Sequence, residues 1–226
     1  MGIYAYCVVP PDHAPSVGVT GLDDKPVELV PMGEVALWVS RLPRPTGSVA
    51  QITAHNKVVE AAVTDEVTPV PLRFGQWLDN EAALRAAMLD KTASYQEKLQ
   101  EFAGCLEFGI RVLDPNAQRG ARDVEQPAAT TGYEYMQALR ENSKLAEQRR
   151  AVADQVRLQI HNSLQPLVRA EREEEARTPH ALITLSHLVP RPHFDGYRER
   201  ARGLRELLPA LRLLLTGPWP PYSFAA

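Results

Sequence analysis

The stretch CLEFGIRVLD, residues 105–114, opens the half of the chain that decides the fold. Its apolar and β-branched content predicts a strand, and a helical pattern follows from Thr130 to about Val168. A strand over 180–189, a helix over 192–208 and a last strand over 209–215 complete the series. This order resembles an incomplete or modified ferredoxin-like layer of helices on one sheet. The predicted apolar stripe of the long helix consists of Met136, Leu139, Val152, Val156, Ile160 and Leu164.

The residues before this stretch predict a second α+β arrangement. IYAYCVV (3–9) is typical of a strand, and VELVPMGEVALWVS (27–40) of a hairpin that turns at 31–33. Ser48 caps a predicted helix that ends near Val67, and VPLRFGQWL (70–78) is a predicted short strand. A further helix is predicted from a cap at Asp79 to Ala103.

We therefore expect an α+β protein with two domains. The N-terminal α+β domain comprises residues 1–104, and the modified ferredoxin-like domain comprises residues 105–226 with an extended tail over 217–226. The polar, proline- and glycine-containing segment 115–129 is typical of an exposed, mobile loop.

Composition narrows the classes of partner. The 226 residues include 25 basic and 28 acidic side chains, so no net positive charge favours nucleic acid or an anionic membrane. No apolar run is long enough to span a bilayer, and we expect a cytoplasmic protein. Cys7 and Cys105 lie in apolar runs, which favours buried free thiols over a disulfide.

The sequence shows no motif of a reaction centre. It contains no GxSxG, HExxH, GxxxxGK[ST] or GxGxxG pattern, and the spacing of its histidines does not predict a metal site. His55 falls on the apolar face of the first helix, where a hydrogen-bonded core histidine is more frequent than a ligand or a base. The charge runs at 172–177 and 198–206 are typical of solvated helix faces. We expect no enzymatic activity, cofactor or metal.

The chain ends in TGPWPPYSFAA, residues 216–226, in which three prolines stiffen a segment with three aromatic side chains. Disordered termini rarely keep aromatic residues, so this tail is expected to lie on a surface. Trp219, Tyr222 and Phe224 can pack on the protein itself, dock a partner, or do both.

Three stretches carry a family resemblance: IYAYCVVP (3–10), HNKVVEAAVTDEVTPVPLRFGQWL (55–78) and LLLTGPWPPYSFAA (213–226), with further matches at LEFGIRV (106–112) and GYEYM (132–136). Together and in this order they resemble the gas vesicle protein family GvpF/GvpL. The resemblance implies a minor structural or assembly protein of gas vesicles that binds the shell protein GvpA and other accessory gas vesicle proteins. It also implies that the protein limits GvpA aggregation during nucleation.

The residues predicted to bind a partner are Arg73, Phe74, Trp77, Trp219, Tyr222 and Phe224. Arg73 lies in an apolar segment, so its charge can either be satisfied within the protein or reach an acidic group of a partner. The alternative function is that of a cytosolic small-molecule-binding or regulatory α+β protein, a class that includes enzymes. It would need polar groups that converge on a pocket near His55, Arg73 or Glu107.

Overall fold

The computed structural model describes residues 1–115, 117, 132–175, 178 and 180–225. The chain groups into two compact units, Met1–Glu107 with Pro218–Ala226, and Phe108–Gly217. This grouping assigns the tail to the first unit, whereas the sequence assigned it to the second domain. The domain limits 1–104 and 105–226 stay a prediction.

The first unit contains an antiparallel sheet whose strands follow the order β2-β3-β1-β4, with β5 also paired to β1. The strands are β1 (Gly2–Val9), β2 (Glu28–Pro31), β3 (Ala36–Leu42), β4 (Val70–Pro71) and β5 (Trp77–Leu78). The hairpin predicted over 27–40 is confirmed as β2 and β3, and the Met32 N–H donates to the Val35 carbonyl across its turn.

The segment predicted as one strand over 70–78 is two strands of two residues each, β4 and β5, separated by a turn. Both pair with β1, β4 at Cys7 and Val8 and β5 at Ile3 and Tyr4. The single-strand prediction is wrong because Gly75 has a φ of +99°, which a continuous strand does not allow.

The helices of the first unit are α1 (Val49–Ala61), α2 (Glu81–Met88) and α3 (Thr92–Phe102). Ser48 caps α1 as predicted, because its side chain accepts from the Gln51 N–H. The helix ends at Ala61 and not at Val67, because Thr64 and Val67 form a turn in which each donates to the other.

The single helix predicted from Asp79 to Ala103 is also wrong. Asn80 is the N-cap of α2. The helix is interrupted after Met88, and α3 begins at Thr92. The Thr92 hydroxyl donates to the Met88 carbonyl, a local bond of the kind that competes with continuous helix.

The core of the first unit lies between the sheet and α1. It is dominated by fully buried side chains of β1 and β3, among them Tyr4, Tyr6 and Trp38, with Val58 and Val59 of α1 packed against them. Cys7 and Cys105 are buried free thiols, as predicted.

The second unit has the complete strand and helix order of a ferredoxin-like fold. Its elements are β6 (Cys105–Leu113), α4 (Gly132–Leu164), β7 (Ala170–Glu173), β8 (Ala181–Pro190), α5 (Phe194–Leu207) and β9 (Arg212–Trp219). The tail helix α6 (Tyr222–Ala225) follows in the chain and is grouped with the first unit. The sheet order is β7-β8-β6-β9. The α+β, ferredoxin-like prediction is confirmed, and β7 supplies the strand that the sequence left out.

Three predictions for this half need correction. The run 172–177 is not a helix face, because Arg172 and Glu173 belong to β7 and residues 176 and 177 lie outside the described residues. The last strand runs from Arg212 to Trp219 and not from 209 to 215. In the predicted stripe of α4, Val156, Ile160 and Leu164 are buried, whereas Met136, Leu139 and Val152 are exposed.

The predicted loop over 115–129 lies outside the described residues except at positions 115 and 117. Within the described chain, no helix combines the length and the apolar character needed to cross a membrane. The basic run 198–206 lies on α5, where its arginine and glutamate side chains are exposed as predicted, except that Arg198 is half-buried over the rings of Phe108 and Phe194.

Candidate functional site

The turn between β4 and β5 displays two of the predicted residues, Arg73 and Phe74. Its two ends are fixed on β1, because the Leu72 N–H donates to the Tyr6 carbonyl and the Ala5 N–H donates to the Gln76 carbonyl, both at 2.9 Å. The chain between these bonds must reverse away from the sheet. The turn therefore presents Arg73 at the surface and Phe74 partly buried.

A buried hydrogen-bond network holds this turn from below. His55 of α1 lies between Tyr4 and the turn, with its Nδ1 2.8 Å from the Tyr4 hydroxyl and its Nε2 2.9 Å from the Leu72 carbonyl oxygen. A carbonyl can only accept, so His55 Nε2 carries the proton and Nδ1 accepts from the Tyr4 hydroxyl. The Tyr4 oxygen in turn accepts from the Gly75 N–H at 3.2 Å.

The environment keeps both side chains of this network uncharged near neutral pH. Burial lowers the pKa of His55 to about 4, although the bond to the Leu72 carbonyl acts in the opposite direction. Burial also raises the pKa of Tyr4 above the usual range of a phenol. His55 is therefore a hydrogen-bonded core histidine, as predicted, and its role is to position the turn.

Phe74 packs onto this network from the side of the turn. Its ring lies 5.8 Å from the ring centroid of Tyr4 and 5.8 Å from that of His55. Edge and tilted contacts of this kind are favourable between aromatic rings. The neighbouring Arg73 therefore starts from a fixed backbone, although its own side chain is exposed.

Arg73 lies in an exposed turn and not in an apolar strand, and its partner-binding role stays a prediction. Among the described residues, it makes no hydrogen bond or ion pair. Its guanidinium group can still donate five hydrogen bonds, which suits a carboxylate.

Trp77 closes the opposite end of the turn. Its indole N–H donates to the Leu42 carbonyl at 3.1 Å, and the Arg44 guanidinium lies 5.8 Å from its ring centroid. Gly2 allows this arrangement, because a Cβ at Gly2 would overlap the Trp77 ring. Trp77 is thus half-buried and committed to contacts within the first unit.

The tail is fixed to the first unit by hydrogen bonds along its length. The backbone N–H and the hydroxyl of Ser223 donate to the two carboxylate oxygens of Glu107, at 2.9 and 2.7 Å. Lys98 donates to the Ala225 carbonyl at 2.7 Å, and the Tyr222 hydroxyl donates to Asn56 Oδ1 at 3.0 Å. The tail is therefore an ordered part of this unit.

Burial along the tail divides its aromatic residues. Pro220 and Pro221 are buried, Tyr222 and Phe224 are half-buried, and Trp219 keeps 49% of its surface exposed. Burial raises the pKa of Tyr222, whose ring packs against the same hydrophobic cluster as Phe74 and Trp77. Three of the six predicted residues thus share one core cluster, while Arg73 and Trp219 are exposed.

The sequence did not predict which residues anchor the tail, nor that part of α1 is exposed. Glu107, Lys98 and Asn56 contact the tail from positions more than a hundred residues away, and no local pattern predicts such pairs. Ile52 lies at helical spacing from the buried His55 and Val59 of α1 but is 41% exposed.

Two of the three groups that a small-molecule site would need are engaged in structural contacts. His55 is buried with both ring nitrogens bonded, and Glu107 is buried with both oxygens bonded to Ser223. In the described part of the chain, no cluster of three or more histidine, cysteine, aspartate or glutamate side chains could hold a metal ion.

Comparison with known proteins gives the family. The family model described as "Gas vesicle synthesis protein GvpL/GvpF" matches residues 2–226. The chain belongs to the GvpL/GvpF family. Gas vesicle protein L1 of Halobacterium salinarum is 28% identical over 99% of this chain and 90% of its own length. Gas vesicle protein F of a Streptomyces species is 28% identical over 99% of each chain.

Solved GvpF structures have the same fold. The crystal structure of GvpF from Anabaena matches with a TM-score of 0.80 and 21% identity, over 100% of this chain and 98% of that one. GvpF from Microcystis aeruginosa matches with a TM-score of 0.78 and 19% identity, over 100% of this chain and 99% of that one. The GvpL/GvpF membership supports an accessory role in gas vesicles for this chain.

Proposed function

We propose that this GvpL/GvpF protein binds the shell protein GvpA and other accessory gas vesicle proteins in the cytoplasm while vesicles form. By covering apolar surface of GvpA, it limits GvpA aggregation during nucleation. In this proposal it acts by binding and not by catalysis, and it associates with the gas vesicle.

The observation that carries this proposal is the combination of exposure and anchoring at Trp219. A half-exposed tryptophan on a mobile terminus would lose much conformational entropy on binding a partner. Here the following residues are fixed by Ser223, Tyr222 and Lys98, so Trp219 projects from an ordered backbone. Exposed aromatic side chains on a rigid support are the type of residue that contributes most to protein interfaces.

In the proposed binding surface, Arg73 sets the orientation of the partner. Arginine is enriched in interfaces because its planar group binds carboxylates at two points while its stem packs on apolar groups. A partner segment that presents an acidic side chain beside apolar ones would satisfy both kinds of residue. We expect Trp219 to supply most of the affinity and Arg73 most of the orientation.

Co-precipitation of GvpA with the tagged full-length chain tests this proposal. We expect Trp219→Ala to reduce the captured GvpA at least about tenfold, since loss of an anchoring aromatic residue costs about 2 kcal/mol or more. The same variant should lose the ability to suppress light scattering by GvpA diluted from denaturant. Tyr133→Ala, which removes a 78% exposed ring from the second unit, is the matched control.

Two results would contradict the proposal. One is equal capture of GvpA by wild type, Trp219→Ala and Arg73→Ala. The other is normal flotation of cells after a clean deletion of the gene in a strain with no second copy of the family. Unfolding curves of each variant show whether a loss of capture reflects loss of fold.

A further inference from the structure

The first part of α4 forms an exposed helical arm, residues 133–150. Between Tyr133 and Gln148, every described side chain is exposed except Ala138 and Asn142, which are half-buried. The burial of α4 in its own unit begins at Ala153 and continues through Val156, Ile160 and Leu164. Only the last part of this 33-residue helix therefore packs against the core of the second unit.

The exposed arm lacks the packing that stabilises most helices. Most helical stability in proteins comes from packing of an apolar face, and the arm has no such packing in its own unit between Tyr133 and Gln148. The arm nevertheless carries large apolar side chains in water. Tyr135 is 42% exposed, Leu139 44% and Leu145 57%.

The arm has the spacing of a helix that pairs with another helix. Tyr135, Ala138, Asn142 and Leu145 follow one another in alternating steps of three and four residues. The same steps lead on to Arg149, which is half-buried and donates to the Ala181 carbonyl of its own unit, and to Val152. This is the repeat of the two core positions of a coiled coil. One further step of four reaches Val156, which is buried in the unit's own core, so the pairing stripe continues a face that already packs.

We infer that this stripe is a homodimer interface, in which the arms of two copies of the chain pack along each other. A second copy brings an identical stripe, and closed two-fold pairing of identical surfaces is the most frequent form of protein assembly. A polar Asn142 at a core position is the device by which paired helices fix their number and register.

The size and charge of the arm fit this occupant. Eighteen residues of helix span roughly 27 Å, and two such helices in contact bury about 1,000 Å², which is the lower limit for a specific interface. Residues 132–150 contain four basic and three acidic side chains, so two arms carry little net charge to repel each other. We therefore expect a dimer with a dissociation constant in the micromolar range.

Sedimentation velocity of the full-length chain tests this inference, with a control two residues from the key position. Tyr135→Glu places a charge in the stripe and should raise the dissociation constant at least about tenfold. Tyr133→Glu makes the same chemical change on the opposite side of the helix, since two residues turn an α-helix by about 200°. Tyr133 is 78% exposed, and this variant should dimerise like the wild type.

A wild-type chain that stays monomeric up to about 100 µM would overturn the inference, and so would an equal effect of the two glutamate variants. If the wild type is monomeric and the arm gains protection from hydrogen exchange only when another vesicle protein is added, the stripe belongs to a different partner and the homodimer is excluded. Thermal unfolding of both variants controls for loss of the helix. The measurement needs no shell protein, so its outcome is independent of the proposed function.

Discussion

His55 is a titratable residue whose hydrogen bonds hold the turn between β4 and β5 in place. Its two ring nitrogens are bonded to the Tyr4 hydroxyl and the Leu72 carbonyl, and the Tyr4 oxygen also receives the Gly75 N–H. One imidazole thus connects α1, β1 and the turn that displays Arg73. A charged imidazole carries a proton on both nitrogens and can only donate. The Tyr4 hydroxyl could then no longer donate its proton to His55 Nδ1.

This arrangement predicts a specific dependence of stability on pH. The pKa of His55 is about 4 in the folded chain and about 6.5 in the unfolded chain, so the unfolded chain binds more protons between these values. The contribution of His55 is therefore complete above pH 6.5 and is lost as the pH falls towards 4. At pH 4.5 the loss amounts to about 2–3 kcal/mol in the free energy of unfolding.

Urea unfolding of wild type and His55→Gln at pH 7.5, 5.5 and 4.5 measures this contribution. The variant should be less stable at pH 7.5 and should lose less stability on acidification than the wild type. Burial also lowers the pKa of His187 in the second unit, and its contribution has the same sign and remains in both proteins. Parallel curves for the two proteins would show that His55 does not titrate as described.

At the scale of secondary structure, sequence patterns predicted elements with apolar periodicity and missed those without it. The hairpin over 27–40 and the strand β6 have buried, apolar residues, and their predictions are confirmed. The strand β7 has the sequence AERE and sits at the sheet edge, with two glutamates on one face. Glu171 bonds His187, and Glu173 binds Arg157 at two points, at 2.7 and 3.0 Å.

Such a strand cannot be found by hydrophobic alternation, because three of its four side chains are charged and exposed, and its two glutamates bond residues of other elements. The tail is the opposite case. Its prolines and aromatic residues predicted an ordered segment, but the acceptor on Glu107 lies 116 residues away from Ser223 and was not predictable from local pattern. The partner-binding role of the six predicted residues stays a prediction.

The anchoring of the tail gives a prediction at this scale. Ser223→Ala removes the hydroxyl donor at 2.7 Å from the buried Glu107 carboxylate and keeps the backbone donor. Because hydrogen bonds to charged groups contribute about 1.5–3 kcal/mol, we expect a loss of this order in unfolding free energy. Hydrogen exchange of residues 222–225 should accelerate more than that of β1.

The matched control is Ser143→Ala on the exposed arm of α4, which should change stability by less than about 0.5 kcal/mol. If the two serine variants are equally stable, the Ser223 hydroxyl does not hold the tail. Trp219 would then be carried by a more flexible segment than the structure indicates.

For the whole molecule, the two proposed interaction surfaces lie on different compact units. Arg73 and Trp219 belong to the first unit, and the α4 arm with Tyr135 belongs to the second. The surfaces also differ in chemistry, since one combines an exposed arginine with an anchored tryptophan and the other is a helical stripe. Shell-protein capture and self-association should therefore be separable by mutation.

A two-by-two comparison of wild type, Trp219→Ala, Tyr135→Glu and the double variant measures this separation. We expect Trp219→Ala to lose capture of GvpA while it sediments as a dimer, and Tyr135→Glu to sediment as a monomer while each chain still captures GvpA. The double variant should show both losses, with effects that add on a free-energy scale because the two sites have no residue in common. If monomeric Tyr135→Glu also loses most of its capture, a single copy is insufficient for binding, and the shell protein would have to contact both members of the dimer.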